Sequence, residues 1–228
     1  FTKFTPRPNE IGWVEEILVD RAYIEKADQA RELAELEDLA KIPFISPHLL
    51  ANTAAAAAIT LAAGIQPNEI KQALKHFQLD AHRIELVLDQ NDVRWVDDSK
   101  ATNPHAANAA LSSFESVIWI VGGLLKGVDI SELVRKHAAK LKVAIVIGKE
   151  RDPVLEALAQ FAPNCQVIEI AHQENLMFQV VSKAKSVAQA GDVVLLAPAA
   201  ASMDQFKDYA DRGESFVKAV MEVCNSGD

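Results

Sequence analysis

An α/β chain built on a mostly parallel, doubly wound sheet is the fold class this sequence predicts. Two observations carry that expectation. From Val117 onward four apolar runs, Val117–Val121, Val143–Ile147, Val167–Ile170 and Val193–Ala197, alternate with helical stretches at roughly Ile130–Leu141, Pro153–Phe161, Glu174–Ala190 and Met203–Val223. The first, second and fourth runs are nearly continuous rather than alternating, the pattern of strands covered by helices on both faces. Repeated units of this kind cross over right-handedly.

The elements before this array have a different grammar. Trp13–Val19 and Ala22–Ile24 are strand pieces between polar turns, and two such pieces alone are too few for a stable sheet. Ser46-Pro47 is a helix start, with Ser as N-cap and Pro in the first turn, and the Ala-rich run from His48 to Ala63 follows until Gly64 ends it. Pro67 opens a second helix, closing near Leu79, in which Ile70, Ala73, Leu74 and Phe77 recur at helical spacing and predict one buried face. Ile84–Leu88 and Arg94–Val96 then flank Asp89-Gln90-Asn91-Asp92 as a hairpin. Asn103-Pro104 repeats the N-cap signal and starts a helix to about Ser113. A domain boundary is expected near Asp80–Ala81, dividing the chain into residues 1–80 and 81–228.

Composition narrows the function classes. The 228 residues carry a formal net charge of −9, which argues against a nucleic-acid footprint of clustered Lys and Arg. It leaves anionic small molecules open, because a few local cations suffice for those. Cys165 and Cys224 form no CxxC or Cys/His spacing and are expected to be incidental buried thiols of a reducing compartment. No apolar run approaches a membrane span and no signal peptide opens the chain. Residue 1 is Phe, and the opening residues have none of the features of a natural start. A piece of a longer protein is therefore expected, an expectation that a start codon directly before Phe1 would contradict.

In an open α/β sheet, ligands sit beyond the carboxyl ends of the strands. Three polar segments fall there: DDSKATNP (Asp97–Pro104), GGLLKGVD (Gly122–Asp129) and APAAASMDQF (Ala197–Phe206). The first crowds Asp97, Asp98, Ser99, Lys100, Thr102 and Asn103 ahead of a helix N-terminus, where backbone N–H groups favour an anion. A solvated turn with an N-cap accounts for the same residues almost as well. In the second, Gly122 and Gly127 have P-loop spacing, but Val128 stands where the Walker lysine belongs. Lys126 is a candidate anion ligand or a solvated lysine. Ser202, in the third, reads as a helix N-cap. Arg83 at the proposed boundary suits a phosphate clamp or a surface ion pair equally. His48 and Asn52 lie one helical turn apart without a second metal-type ligand, and no G-x-S-x-G elbow supports covalent catalysis.

Taken in order, His82-Arg83 followed by a strand, VRWVDDSKATN at Val93–Asn103, Gly122-Gly123 with Lys126 and Asp129, and LLAPAAASMDQF at Leu195–Phe206 resemble the Mur ligases of bacterial cell-wall synthesis. Within them, DSKATN is similar to the loop of the D-glutamate-adding members. The resemblance covers almost the whole chain and implies a Rossmann-like C-terminal domain at 81–228 that brings the amino acid. Residues 1–80 would then be the end of a P-loop ATPase-type central domain. It further implies an ADP-forming amide ligase that activates UDP-N-acetylmuramoyl-L-alanine with ATP as an acyl phosphate, which the amine of D-glutamate attacks. ATP and Mg are the implied cofactors, the Mg ligands lying upstream of Phe1. A cytoplasmic bacterial monomer without nucleic-acid or membrane partners is expected.

Carried over residue by residue, the resemblance gives Asn52 the adenine, Arg83 the nucleotide phosphates and Asp98 the ribose, with Lys100 beside it. Arg83 and Lys100 are the implied catalytic pair. Thr102 and Lys126 take one carboxylate of D-glutamate, Ser202 and Tyr209 the other. Leu124-Leu125 depart from the small or polar residues usual before the lysine, Leu49 from a frequent Asn, and Tyr209 from the usual Phe. Two other readings stay open: a Mur- or folylpolyglutamate-type ligase for a different amino acid, and a non-catalytic α/β anion-binding domain.

Overall fold

The computed structural model describes residues 1–24, 26, 29–171 and 174–225. It separates into two compact units, Phe1–Leu79 and Asp80–Asp228, the last three residues of the second lying outside the described set.

In the first unit three short strands, β1 (Ile11–Val14), β2 (Ile17–Asp20) and β3 (Arg31–Glu35), form an antiparallel sheet in that order. The expected single strand Trp13–Val19 is thus a hairpin turned at Glu15, whose φ of 53° is left-handed. Ala22–Ile24 is not a strand. The charged β3, which no apolar run announces, completes the sheet instead. Helices α1 (Pro47–Ala62) and α2 (Pro67–His76) cover it, with Trp13, Leu18, Leu33, Leu49, Ala57 and Ile70 in one core. The predicted start of α1 is present: the Ser46 hydroxyl accepts from Leu49 N–H and Pro47 sits in the first turn. On α2 the expected four-residue face is narrower. Ile70 is buried and Leu74 half-buried, but Ala73 and Phe77 are exposed, Phe77 because the helix ends at His76.

The second unit is a six-stranded sheet in the order β4-β5-β9-β6-β7-β8. Its strands are β4 (Glu85–Gln90), β5 (Val93–Asp97), β6 (Val117–Gly122), β7 (Leu141–Ile147), β8 (Gln166–Glu169) and β9 (Val193–Leu196). Only β4 runs antiparallel, paired with β5 through a two-residue turn at Asn91-Asp92. Both turn residues have positive φ, the primed geometry that suits right-twisted strands. The crossover helices are α3 (Pro104–Leu111), α4 (Ser131–His137), α5 (Asp152–Phe161) and α6 (Leu176–Val187), and α7 (Tyr209–Asn225) follows the last strand. β6 is buried along its whole length, as its unbroken apolar run requires. A core of Ile118, Ile120, Ile145, Val180, Leu196, Phe216 and Val220 joins one face of the sheet to α6 and α7.

The strand order matters more than the strand count. The last strand, β9, inserts between β5 and β6, so the three candidate loops, far apart in sequence, leave three adjacent parallel strands. The paired glycines allow the middle of this arrangement to close. Leu124 and Ala201 exchange two backbone hydrogen bonds of 2.8 and 3.0 Å, bringing the Gly122-Gly123 turn against the β9 loop. A Cβ on Gly123 would lie 2.2 Å from the Ala201 carbonyl oxygen, and its φ of 138° disfavours any side chain. Gly123→Ala should therefore destabilise the chain by about 1–3 kcal/mol. Thermal unfolding followed by circular dichroism checks this, and an unchanged midpoint would show that the turn adapts.

Candidate ligand site at the carboxyl ends of the strands

Asp97 ends β5 and is fully buried, so its two oxygens must find partners. Oδ1 accepts from Ser99 N–H at 2.8 Å, and Oδ2 lies 2.7 Å from His82 Nδ1. Glu85 Oε2 in turn accepts from His82 N–H. His82, Glu85 and Asp97 bring potential metal-ligand atoms within 4.8 Å of one another, but both Asp97 oxygens are already engaged. The pair is packed against α7 at Gly213, where an added Cβ would come within 2.3 Å of His82 Nδ1 and 2.8 Å of Asp97 Oδ2.

Asp98 follows with a different environment. It is only 7% exposed, and Oδ1 accepts from Ile84 N–H at 3.2 Å. Burial pushes its pKa from 3.8 up to about 7. The Ile84 hydrogen bond and Arg83 oppose that rise, and the Asp97 charge adds to it. Lys100 and Arg83 share one partner, Asp80 Oδ2, at 3.1 and 3.4 Å. Lys100 Nζ also stands 5.6 Å from the centre of the Tyr209 ring.

The loop is held from α7 by Arg212, which the sequence reading missed. This arginine is 1% exposed. Its Nε donates to Ser99 Oγ at 2.9 Å, Nη2 to the Ser99 carbonyl at 2.8 Å and Nη1 to the Ala200 carbonyl at 3.1 Å. The Ser99 hydroxyl completes the link by donating to the Tyr209 carbonyl at 2.7 Å. Burial lowers the guanidinium pKa to about 10, with Asp204 and Asp97 opposing, so it stays charged at neutral pH. A DRGESF stretch inside a helix gives no signal that its arginine points inward.

The other expected residues stand as follows. Thr102 is half-buried ahead of α3, where the Asn103 side chain accepts from Ala106 N–H as the predicted N-cap. Lys126 is exposed with φ of 56°, and its ammonium group has no acidic partner among the described residues. The departures Leu124 and Leu125 have plain structural roles: Leu124 makes the bridge to Ala201, and Leu125 is buried. Ser202 is buried, but it does not cap the last helix. That helix begins at Tyr209 rather than near Met203, and Asp208 Oδ1 accepts from Asp211 N–H in its first turn. Residues 203–208 form turns and bends, with the Ser202 carbonyl accepting from Gln205 and Phe206 N–H and Lys207 N–H donating to Asp211 Oδ2. Asn52 lies on α1 in the first unit, its amide 3.1 Å from His48 Nε2. Cys165 and Cys224 are buried free thiols, and burial pushes Cys165 up to about 11, away from reactivity. Among the described residues no helix is long and apolar enough to cross a membrane.

Three loops leaving adjacent parallel strands carry cations and hydroxyls, and the first of them holds a buried carboxylate with few donors of its own. Because the folded-state pKa of Asp98 lies above its ordinary value, the native chain holds that proton more tightly than the unfolded chain. Asp98 should therefore cost stability progressively as pH rises from 3.8 to about 7. Asp98→Asn should remove this slope, raising the unfolding midpoint relative to the parent at pH 8 more than at pH 4. Parallel melting curves for the two proteins across that range would dismiss the assignment.

Comparison with known proteins fits this geometry. Residues 82–200 match the family model described as Mur ligase, glutamate ligase domain. Proteins named UDP-N-acetylmuramoylalanine--D-glutamate ligase are similar along nearly the whole chain. That of Leifsonia xyli is 48% identical over 97% of this chain and 44% of its own length. That of Thermobifida fusca is 46% identical over 98% and 48%, and that of Streptomyces coelicolor 45% over 98% and 47%. The chain spans about half the length of these curated relatives. Among solved structures, the fold is shared with UDP-N-acetylmuramate-alanine ligase MurC of Thermotoga maritima (TM-score 0.55, 13% identity, 90% of this chain and 42% of that one). It is also shared with a pseudomurein peptide ligase type C of Methanothermus fervidus (0.57, 13%, 98% and 43%). With the family model covering just over half of the residues and the carboxyl-end loops intact, this chain belongs to the Mur ligase family.

Proposed function

We propose that the chain is the part of an ADP-forming amide ligase that delivers D-glutamate to UDP-N-acetylmuramoyl-L-alanine in peptidoglycan synthesis. The observation that carries this reading is the 45–48% identity, over nearly all of its residues, to proteins named for that reaction. ATP, with Mg whose ligands would lie outside this chain, would transfer its γ-phosphoryl group to the substrate carboxylate to give an acyl phosphate and ADP, and amine attack at that carbonyl carbon would form the amide and release phosphate.

This chain's own residues bind and orient. Asp98 suits a nucleotide ribose. A buried carboxylate whose one backbone donor among the described residues is the Ile84 N–H gains from a hydroxyl that donates to it. Among the described residues the ion-pair partner of both Arg83 and Lys100 is Asp80, whose side chain is 71% exposed. Such surface pairs are weak, so both cations can turn to phosphate oxygens. Asn52 serves the adenine. D-Glutamate carries two carboxylates and needs two separate donor sets: Lys126 and Thr102 for one, Ser202 and Tyr209 for the other. Orienting the amine against the activated carbonyl is the rate advantage this domain supplies.

Purified residues 1–228 should neither hydrolyse ATP nor form the amide, since Val128 follows Gly127 where a Walker lysine would stand. Measurable turnover by that protein would refute the assignment of the nucleotide loop to an upstream segment. In the full-length ligase, Lys126→Ala should raise the KM for D-glutamate about tenfold or more while changing that for ATP about twofold at most. An unchanged D-glutamate KM removes Lys126 from the site. A screen of D-glutamate, L-lysine, meso-diaminopimelate and L-alanine as acceptors separates this reading from a ligase of different specificity.

A further inference from the structure

The Lys126 turn closes on itself through one bond, Val128 N–H to the Leu125 carbonyl at 3.1 Å, and takes the rest of its support from another loop. Lys126 is a non-glycine residue in left-handed backbone, with φ of 56°, and Gly127 follows at 76°. Two successive amides, Leu125 N–H and Lys126 N–H, point the same way in this turn, and Leu125 is only 4% exposed. A buried N–H without an acceptor costs stability. Both amides converge on one atom from another loop, Glu150 Oε2, at 2.6 and 3.2 Å.

Glu150 is half-buried in the segment that leaves β7, and that segment is itself fastened on both sides. Lys149 N–H donates to Asp204 Oδ2 at 2.8 Å, which fixes it to the loop after β9. Arg151 Nη1 donates to the Gly148 carbonyl at 2.6 Å, which closes it on itself. A Cβ on Gly148 would meet Gly123 N at 2.3 Å, so the β7 and β6 loops are in contact before Glu150 reaches across.

We propose that Glu150 is a positioning residue for the amino-acid substrate. Its carboxylate holds the Leu125-Lys126 amides, thereby fixing the left-handed turn that presents the Lys126 ammonium to a substrate carboxylate. This rests on the assignment of Lys126 to D-glutamate. Glu150 touches no reacting atom. It acts by setting where the cation stands, so its effect belongs in substrate affinity rather than in the nucleotide half-reaction. What the turn needs is an acceptor oxygen, which the Gln side chain also has and the Ala side chain lacks.

The test uses the full-length ligase with Glu150→Ala, Glu150→Gln, Lys126→Ala and the Glu150→Ala/Lys126→Ala pair, each assayed for D-glutamate and ATP separately. Glu150→Ala should raise the D-glutamate KM about tenfold and the ATP KM about twofold at most, and Glu150→Gln should recover most of that loss. In the double variant the two effects should be less than additive, because both act through one ammonium group. If Lys126→Ala raises the D-glutamate KM and Glu150→Ala leaves it within about twofold, the positioning role is overturned while the Lys126 site stands. Equal losses for D-glutamate and ATP, or a Glu150→Gln variant as impaired as Glu150→Ala, also overturn it. If Lys126→Ala itself has no effect, the reading beneath it fails first.

Discussion

A single buried guanidinium holds the candidate site together. Arg212 lies on α7, yet its donors reach the Ser99 side chain, the Ser99 carbonyl and the Ala200 carbonyl. It thereby joins the loops after β5 and β9, which are neighbours in the sheet but about a hundred residues apart in sequence. None of these three bonds goes to a carboxylate. A buried charge satisfied by carbonyl dipoles is tolerable only when its geometry is complete, because every lost partner leaves a donor in an apolar setting. Lysine could not substitute, since its compact ammonium lacks the planar fork that spans two loops. The charge is also held in a field: Asp204 and Asp97 both favour it against the burial that lowers its pKa.

From this clamp the rest of the site follows by close packing. The Ser99 hydroxyl, accepting from Arg212, donates to the carbonyl of Tyr209 and so fixes the first turn of α7. One turn along, Gly213 makes room for the His82 ring beside Asp97. That pairing orients the segment carrying Arg83, and Lys100 N–H donates to the His82 carbonyl at 3.2 Å. The left-handed residues His82 and Ile84 on either side of Arg83 are strained positions that persist because this packing over-determines them.

Much of this was legible in the sequence, and the limits have physical reasons. The continuous apolar runs located β6, β7 and β9 because strands buried on both faces have no room for polar residues. The Asn103 cap and the Ser46 cap were legible because capping is a local hydrogen bond between residues three apart. The three polar loops were legible as loops. What no local pattern disclosed is that β9 returns between β5 and β6 and makes them one site. Arg212 and Glu150 were missed for the same reason: each looks like an ordinary surface charge until the partner loop, supplied by a distant strand, is in place. Ser202 was read as a cap because Ser before a helical pattern is a strong local signal. Its own carbonyl instead accepts from Gln205 and Phe206, and the helix waits for Tyr209. β3 was invisible because a strand rich in Arg and Glu, held by pairing with β2 on one side, needs few apolar residues.

The charge pattern resolves an apparent contradiction. A chain with net charge −9 is proposed to bind a dicarboxylate and nucleotide phosphates. Net charge acts over distances that salt screens within about 10 Å, whereas the site is set by groups in contact. There, acids and cations have unequal freedom. Asp97 is spent on His82 and Ser99, and burial keeps Asp98 largely uncharged below about pH 7. Glu150 is turned onto backbone amides. Lys126 has no acidic partner among the described residues, and Lys100 and Arg83 lean on one solvent-exposed acid. Asp97, Asp98 and Glu150 are thus tied up or neutral, while Lys126, Lys100 and Arg83 are held only weakly. An anion at the carboxyl ends of β5, β9 and β6 is therefore recognised by a few cations free to turn to it, which an overall acidic charge does not prevent.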